Sequence, residues 1–229
     1  YTWNDDLYYD NSLFPGDWQL GYRSILYANM ALDVINKVSP KPEEVTAYNN
    51  VKGSGLFFRA NMFYQLAQLF APQYDKIISS SQLGIPLKLT PDVSETVRRS
   101  TLQETYDKII NDLKEALPLL PDLSSYLTRP TKAAVRGLLA RVYLTMGDYE
   151  KALQEANACL QLKSALLDFN PPAIPNPNAT FPLPQAINNP EIIFYSTMNS
   201  NNMVEFLGRY NGRIDSNLLV SYDINDLRR

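Results

Sequence analysis

Between positions 3 and 9, Trp3, Asn4, Asp5, Asp6, Tyr8 and Tyr9 bring aromatic faces together with amide and carboxylate groups in a segment without helical period. A pyranose presents apolar C–H edges that pack on a flat ring and hydroxyls that need Asn, Asp or Arg partners, so this mixture has the chemistry of a sugar contact. The same rings can also tie the start of the chain to its body. The candidate ligand-binding residues are therefore Trp3, Asn4, Asp6, Tyr8 and Tyr9. A second candidate surface is the proline- and asparagine-rich stretch from Asn170 to Asn189, with Tyr195 and Tyr210 beyond it, because long loops on a rigid scaffold often carry binding residues.

Other chemistries lack their residues. The sequence has no histidine, which removes imidazole catalysis and imidazole metal ligation. Cys159 is the only cysteine, so neither an intrachain disulfide nor a multi-cysteine metal site can form, and its position suits a small buried hydrophobe. A two-carboxylate glycosidase needs acids on opposite sides of one bond. Adjacent Asp5 and Asp6 do not meet that need, and Glu104 with Asp107 sit where a helix start already calls for acids. No catalytic residue, metal ligand or cofactor is expected. The formal charge is −3, and no basic cluster exceeds the pairs Arg98-Arg99 and Arg228-Arg229, so the electrostatic footprint of nucleic-acid binding is missing.

The elements that must position these groups are helical. Trp18, Tyr22, Ile25, Leu26, Leu32 and Ile35 fall at three- and four-residue steps, predicting a helix to about Val38 with Trp18 and Asn29 on its buried face. An unsatisfied amide there would cost about 1–3 kcal/mol, so Asn29 is expected to be hydrogen-bonded internally. A second helix runs from near Glu43 to Phe70. Gly53 and Gly55 either break it or admit a close neighbour, and Arg59 among its aromatics predicts a salt bridge or stacking contact. Residues 71–100 lose the period and read as an insertion containing an extended segment, Leu83 to Leu87. Thr101 and Glu104 form a capping box that opens a third helix, whose buried stripe is Leu102, Tyr106, Ile109, Leu113, Ala116 and Leu120, closed by Pro121.

From Thr131 to Leu162 two helices meet at Gly147-Asp148-Tyr149, with small and aromatic residues at the spacing of a tetratricopeptide hairpin. Tyr149, Ala152, Ala156 and Cys159 are expected to face inward. The polar positions of the first of these helices, Lys132, Arg136, Arg141 and Thr145, form one narrow stripe, so neighbours must cover the rest. The expected fold is all-α and mostly helical: tetratricopeptide-like hairpins at 18–70 and 101–162, loop insertions at 71–100 and 163–190, and a short strand near 191–195, all in one domain over 1–229. Asn178-Ala179-Thr180 matches a glycosylation acceptor by coincidence. The sequence contains no apolar run of about 18 residues that could span a bilayer.

Several motifs in order resemble the SusD/RagB family. They are Phe57-Phe58-Arg59-Ala60 leading to Tyr64, Leu66 and Phe70; Leu83-Gly84-Ile85-Pro86-Leu87; Arg99-Ser100-Thr101; Tyr106 to Leu113; Leu119-Leu120-Pro121; and Thr131-Lys132-Ala133-Ala134 with Leu138 to Leu144 and Gly147-Asp148-Tyr149. The resemblance covers about 18 to 162, more loosely 191 to 194. It implies a lipoprotein on the outer face of the outer membrane of Bacteroidetes-type bacteria, which captures glycans or peptides without catalysis. It further implies a TonB-dependent, SusC-like transporter as partner and an oligosaccharide or polysaccharide ligand. Family members are about twice this long and carry an anchoring cysteine that this sequence lacks. The chain is thus expected to be an N-terminal scaffold portion, with membrane attachment only through a lipid anchor outside it. The hairpin taken alone admits a rival, a helical-repeat adaptor that binds peptide in a groove.

Overall fold

The computed structural model describes residues 16–167, 189–196 and 216–223. The chain divides into two compact units at 164/165. In the first, α1 (Gly16–Ile35) and α2 (Val45–Phe70) pack together, joined by a 3-10 turn at Pro42–Glu44. Next come strands β1 (Leu83–Pro86) and β2 (Arg99–Thr101), then α3 (Leu102–Ala116), a second 3-10 turn at Leu117–Leu119, α4 (Lys132–Thr145) and α5 (Tyr149–Leu162). α3 packs on α2 and α4, and α4 on α5. The core runs from Ile25, Phe57, Phe63 and Leu66 through Tyr106, Ile109 and Leu113 to Val135, Leu139 and Val142, all fully buried.

Both glycines of α2 admit neighbours, and the helix is continuous. A Cβ at Gly53 would stand 2.9 Å from Leu120 Cγ, and one at Gly55 would stand 3.0 Å from Leu32. α3 is shorter than its apolar stripe predicts. Pro118 has no amide to continue the ladder, so the helix ends at Ala116, and Leu120 is buried from beyond its end, against Gly53. α1 likewise stops at Ile35, before Val38. Trp18 is only half-buried, its ring 4.7 Å from Tyr22 and 5.0 Å from Phe70.

The insertion is tied to the start of α3 by the amides that a helix leaves unpaired. The Leu102 amide donates to Gln82 O at 2.8 Å and the Gln103 amide to Ser79 O at 3.1 Å. The capping box takes the next: the Glu104 amide donates to Thr101 Oγ1 at 3.1 Å, and the Thr101 amide to Glu104 Oε2 at 2.8 Å. β1 and β2 pair antiparallel with an irregular register, Leu83 opposite Thr101 and Pro86 opposite Arg99. The Arg99 guanidinium fastens this ribbon through Nε to Gly84 O at 2.7 Å.

One buried polar cluster joins four segments. Arg59 of α2 reaches Asp112 of α3 with two bonds, Nε to Oδ2 at 2.7 Å and Nη2 to Oδ1 at 2.9 Å. Its Nη1 donates to Asn29 Oδ1 of α1 at 3.0 Å, and Asn29 Nδ2 donates to the carbonyls of Lys88 at 2.9 Å and Thr90 at 3.3 Å. Lys108 Nζ adds a second cation 2.9 Å from Asp112 Oδ1. The internal hydrogen bonding expected of Asn29 and the salt bridge expected of Arg59 are thus one network.

The hairpin turns on Gly147, whose φ of +73° is open to glycine and strained for most other residues. The Asp148 amide donates to Tyr143 O at 2.9 Å and the Gly147 amide to Leu144 O at 3.1 Å, a Schellman closure of α4. Inside the hairpin Cys159 Sγ donates to Ala133 O at 3.2 Å, and burial pushes its thiol pKa up. Ala152 and Cys159 face inward as expected, and Ala156 is half-buried. Tyr149 does not face inward. It is 71% exposed, at the first position of α5 just after the Gly147-Asp148 turn.

In the second unit, α6 (Ser216–Ser221) is short, and residues 191–195 form turns and bends instead of the expected strand. Pro190 offers no amide, and the next two amides are spent locally: Glu191 on Asn189 Oδ1 at 2.9 Å and Ile192 on Asn189 O at 3.3 Å.

Two substitutions test this packing. Asp112→Ala leaves the Arg59 guanidinium buried without its counter-ion and should destabilise the fold by about 3–5 kcal/mol in urea unfolding. Gly84→Ala places a Cβ 2.1 Å from Thr105 Oγ1 and 2.7 Å from the Thr101 carbonyl. It should lower stability by about 1–3 kcal/mol in the same assay, and an unchanged midpoint would contradict the tight ribbon.

Candidate functional site

Trp3, Asn4, Asp6, Tyr8 and Tyr9 lie outside the described residues, as do 170–188 and Tyr210. Asn189 and Tyr195 are described, and belong to the turn at 189–192 and the stretch just after it. The acids weighed as a hydrolytic pair are engaged elsewhere: Glu104 in the capping box and Asp107 by Gln103 Nε2 at 2.8 Å.

The first unit holds an open cleft of about 790 Å³ between the outer edge of α3 and the α4–α5 turn. One wall is α3, which presents Gln103, Asp107, Asn111 and Lys114 at steps of four, four and three residues on the side away from its buried stripe. The opposite wall is the turn from Met146 to Lys151, with the exposed Tyr149 ring at its lip. Tyr74 and Tyr143 line it from below, 8% and 4% exposed.

Hydrogen bonds hold both walls. Tyr74 OH donates to Gln103 Oε1 at 2.5 Å, and Ser79 Oγ donates to the same oxygen at 3.0 Å, which orients the Gln103 amide toward Asp107. Behind Tyr74, the Tyr106 ring stands 4.9 Å away and its hydroxyl accepts from Gln68 Nε2 at 2.7 Å. Burial pushes the Tyr106 phenol up to about 12, so it stays neutral across physiological pH. Across the cleft, Lys151 Nζ lies 2.6 Å from Asp148 Oδ2 and 5.5 Å from the centre of the Tyr143 ring. Hydrogen bonds from the Lys151 ammonium and amide hold the Asp148 carboxyl below its ordinary range and raise Lys151.

A smaller pocket of about 290 Å³ lies over the Arg59 cluster. Its charged groups are already engaged: Arg59 with Asn29 in the buried network, Lys52 with Glu115 at 3.5 Å, and Asp33 with Lys37, outside the lining, at 2.7 Å.

Residues 1–144 match the family of SusD-like proteins described as starch-binding and associating with the outer membrane. The chain belongs to the SusD-like family. SusD-like protein P2 of Formosa agariphila is 32% identical over 149 residues, covering 64% of this chain and 27% of that protein. Among solved structures, a Bacteroides vulgatus protein superposes with a TM-score of 0.66 at 28% identity, over 78% of this chain and 40% of its own. A SusD-like carbohydrate binding protein from the same species gives 0.57 at 26% identity, over 66% and 32%. The chain thus spans well under half the length of these relatives. The predominantly helical SusD-like architecture agrees with the all-α expectation.

Sequence reasoning misses the cleft. Its one signal there is the polar edge Gln103, Asp107, Asn111 and Lys114, which reads as an ordinary solvated helix face, while the spacing of Tyr149 points it to the interior.

The turn has a pH signature. Because the Asp148 pKa is lowered by folding, its stabilising contribution is complete above its unfolded value of about 4 and is lost as pH falls through the folded value. Asp148→Asn should flatten this acid limb in thermal melts across the acid range, and an identical limb in the variant would show that the carboxylate does not hold the turn.

Proposed function

We propose that this chain is the scaffold-bearing part of an outward-facing outer-membrane lipoprotein that captures glycan without turning it over and passes it to a TonB-dependent, SusC-like transporter. The observation that carries this reading is the family match over residues 1–144, which spans α1 through most of α4. Relatives named as SusD-like and carbohydrate binding proteins support it.

Capture by such a protein asks for a stiff frame and shallow surfaces that mix rings with hydrogen-bonding groups. The helices supply the frame. Trp3, Asn4, Asp6, Tyr8 and Tyr9 supply the mixture, with Trp3 stacking on a sugar face and the Asn4 amide and Asp6 carboxylate receiving hydroxyls. The rival adaptor reading predicts a soluble peptide partner and indifference to polysaccharide.

Affinity electrophoresis in gels containing starch, laminarin or xylan tests the reading. The protein should be retarded by at least one polysaccharide and release no reducing sugar from it, and Trp3→Ala should migrate faster in that gel. Undiminished retardation of the variant would discard the N-terminal patch, and sugar release would overturn non-catalytic capture.

A further inference from the structure

We infer that the cleft between α3 and the α4–α5 turn is a second saccharide subsite, built to hold a neutral oligosaccharide against Tyr149. The inference rests on the capture reading for the class of ligand and on the geometry of the cleft for the place. Its volume of about 790 Å³ falls within the ~300–1,000 Å³ usual for small-molecule sites.

Tyr149 is the exposed ring of the cleft, 71% accessible, whereas Tyr74 and Tyr143 are buried under it. A ring of that size left open at the first position of a helix contributes nothing to the core. It offers a flat apolar face to a sugar ring. Facing it, α3 carries hydrogen-bonding groups along an edge that runs from Gln103 to Lys114, about 16 Å at the helical rise, so a chain of sugars fits better than one. Asp107 accepts from Gln103 with one oxygen and keeps the other for hydroxyls, and Asn111 and Lys114 are both exposed to solvent. An Asn amide both donates and accepts, the property that vicinal hydroxyls require.

Charge sets the class. Lys76, Lys114 and Lys151 are balanced by Asp107, Asp148 and Glu150, three against three, and Lys151 is already held by Asp148. An acidic polymer finds no excess of cations there, and a basic peptide no excess of carboxylates. A neutral chain is what remains, and the capture reading makes it a hydroxyl-rich one.

Isothermal titration with maltohexaose, laminarihexaose and xylohexaose tests this on the wild type, Tyr149→Ala, Tyr149→Phe, Asn111→Ala and Trp3→Ala. The exposed positions of Tyr149 and Asn111 leave thermal midpoints unchanged. Loss of one stacking face should weaken the preferred hexaose about tenfold in Tyr149→Ala, while Tyr149→Phe keeps the face and stays within about twofold. Asn111→Ala should weaken it by a smaller factor, and added salt should change none of these. Wild-type affinity in Tyr149→Ala alongside loss in Trp3→Ala would overturn the second subsite and leave capture standing. Binding of no hexaose by the wild type would overturn both. A preference for oligogalacturonate that salt suppresses would overturn the neutral class.

Discussion

The pairing of Arg59 with Asp112 is the constraint on which the rest of the first unit depends. A guanidinium and a carboxylate, 8% and 1% exposed, are stable away from water only when geometry is good and the remaining hydrogen bonds are filled. Both conditions are met, and meeting them fixes where other segments lie. Asn29 must come from α1 to take Nη1, and its own amide then needs the carbonyls of Lys88 and Thr90. Thus α1, α2, α3 and the end of the insertion are held in one register by polar groups at the centre of an otherwise apolar body. Such a pair adds little net stability over a hydrophobic replacement, but it penalises every arrangement in which one partner is buried alone.

That register also places the outer edge of α3. With Tyr106, Ile109 and Leu113 turned inward and Asp112 locked to Arg59, the opposite side of the helix must present Gln103, Asp107, Asn111 and Lys114 to the α4–α5 turn. The turn is fixed from its own side by the Schellman closure at Gly147 and by Asp148, whose carboxylate caps α5 and holds Lys151. Both walls are borne on helices and their turn, with Tyr74 and Ser79 of the insertion fixing Gln103. A surface of this kind loses little conformational entropy on binding, which suits weak and reversible capture of a flexible chain.

Much of this is legible in the residues, and the limits are physical. The helices show in their three- and four-residue apolar steps, the Thr101–Glu104 box in its two side chains, and the close approaches in Gly53 and Gly55. Arg59 and Asn29 announce themselves as polar groups on apolar faces, yet the reach from Arg59 to Asp112 spans 53 residues and leaves no local pattern. The strand expected at 191–195 fails because Pro190 and the Asn189 side chain take the amides that a ladder needs. Tyr149 misleads too: its spacing to Ala152 is that of an inward residue, but at the first position of α5, beside the turn, its ring is exposed. A site assembled from the solvated side of one helix and the lip of another has no apolar period to mark it.

A rigid helical frame keyed by Arg59 and Asp112 should present the proposed saccharide-binding edges without itself rearranging. Hydrogen–deuterium exchange with and without a bound hexaose measures this most directly. Exchange should be slowest in the stretches of α2 and α3 around Arg59 and Asp112 and unchanged there by ligand, with new protection confined to the start of the chain, residues 103–114 and the turn at 147–151. Fast exchange around Arg59 and Asp112, or ligand protection at the centre of α2 with the α3 edge unaffected, would contradict it.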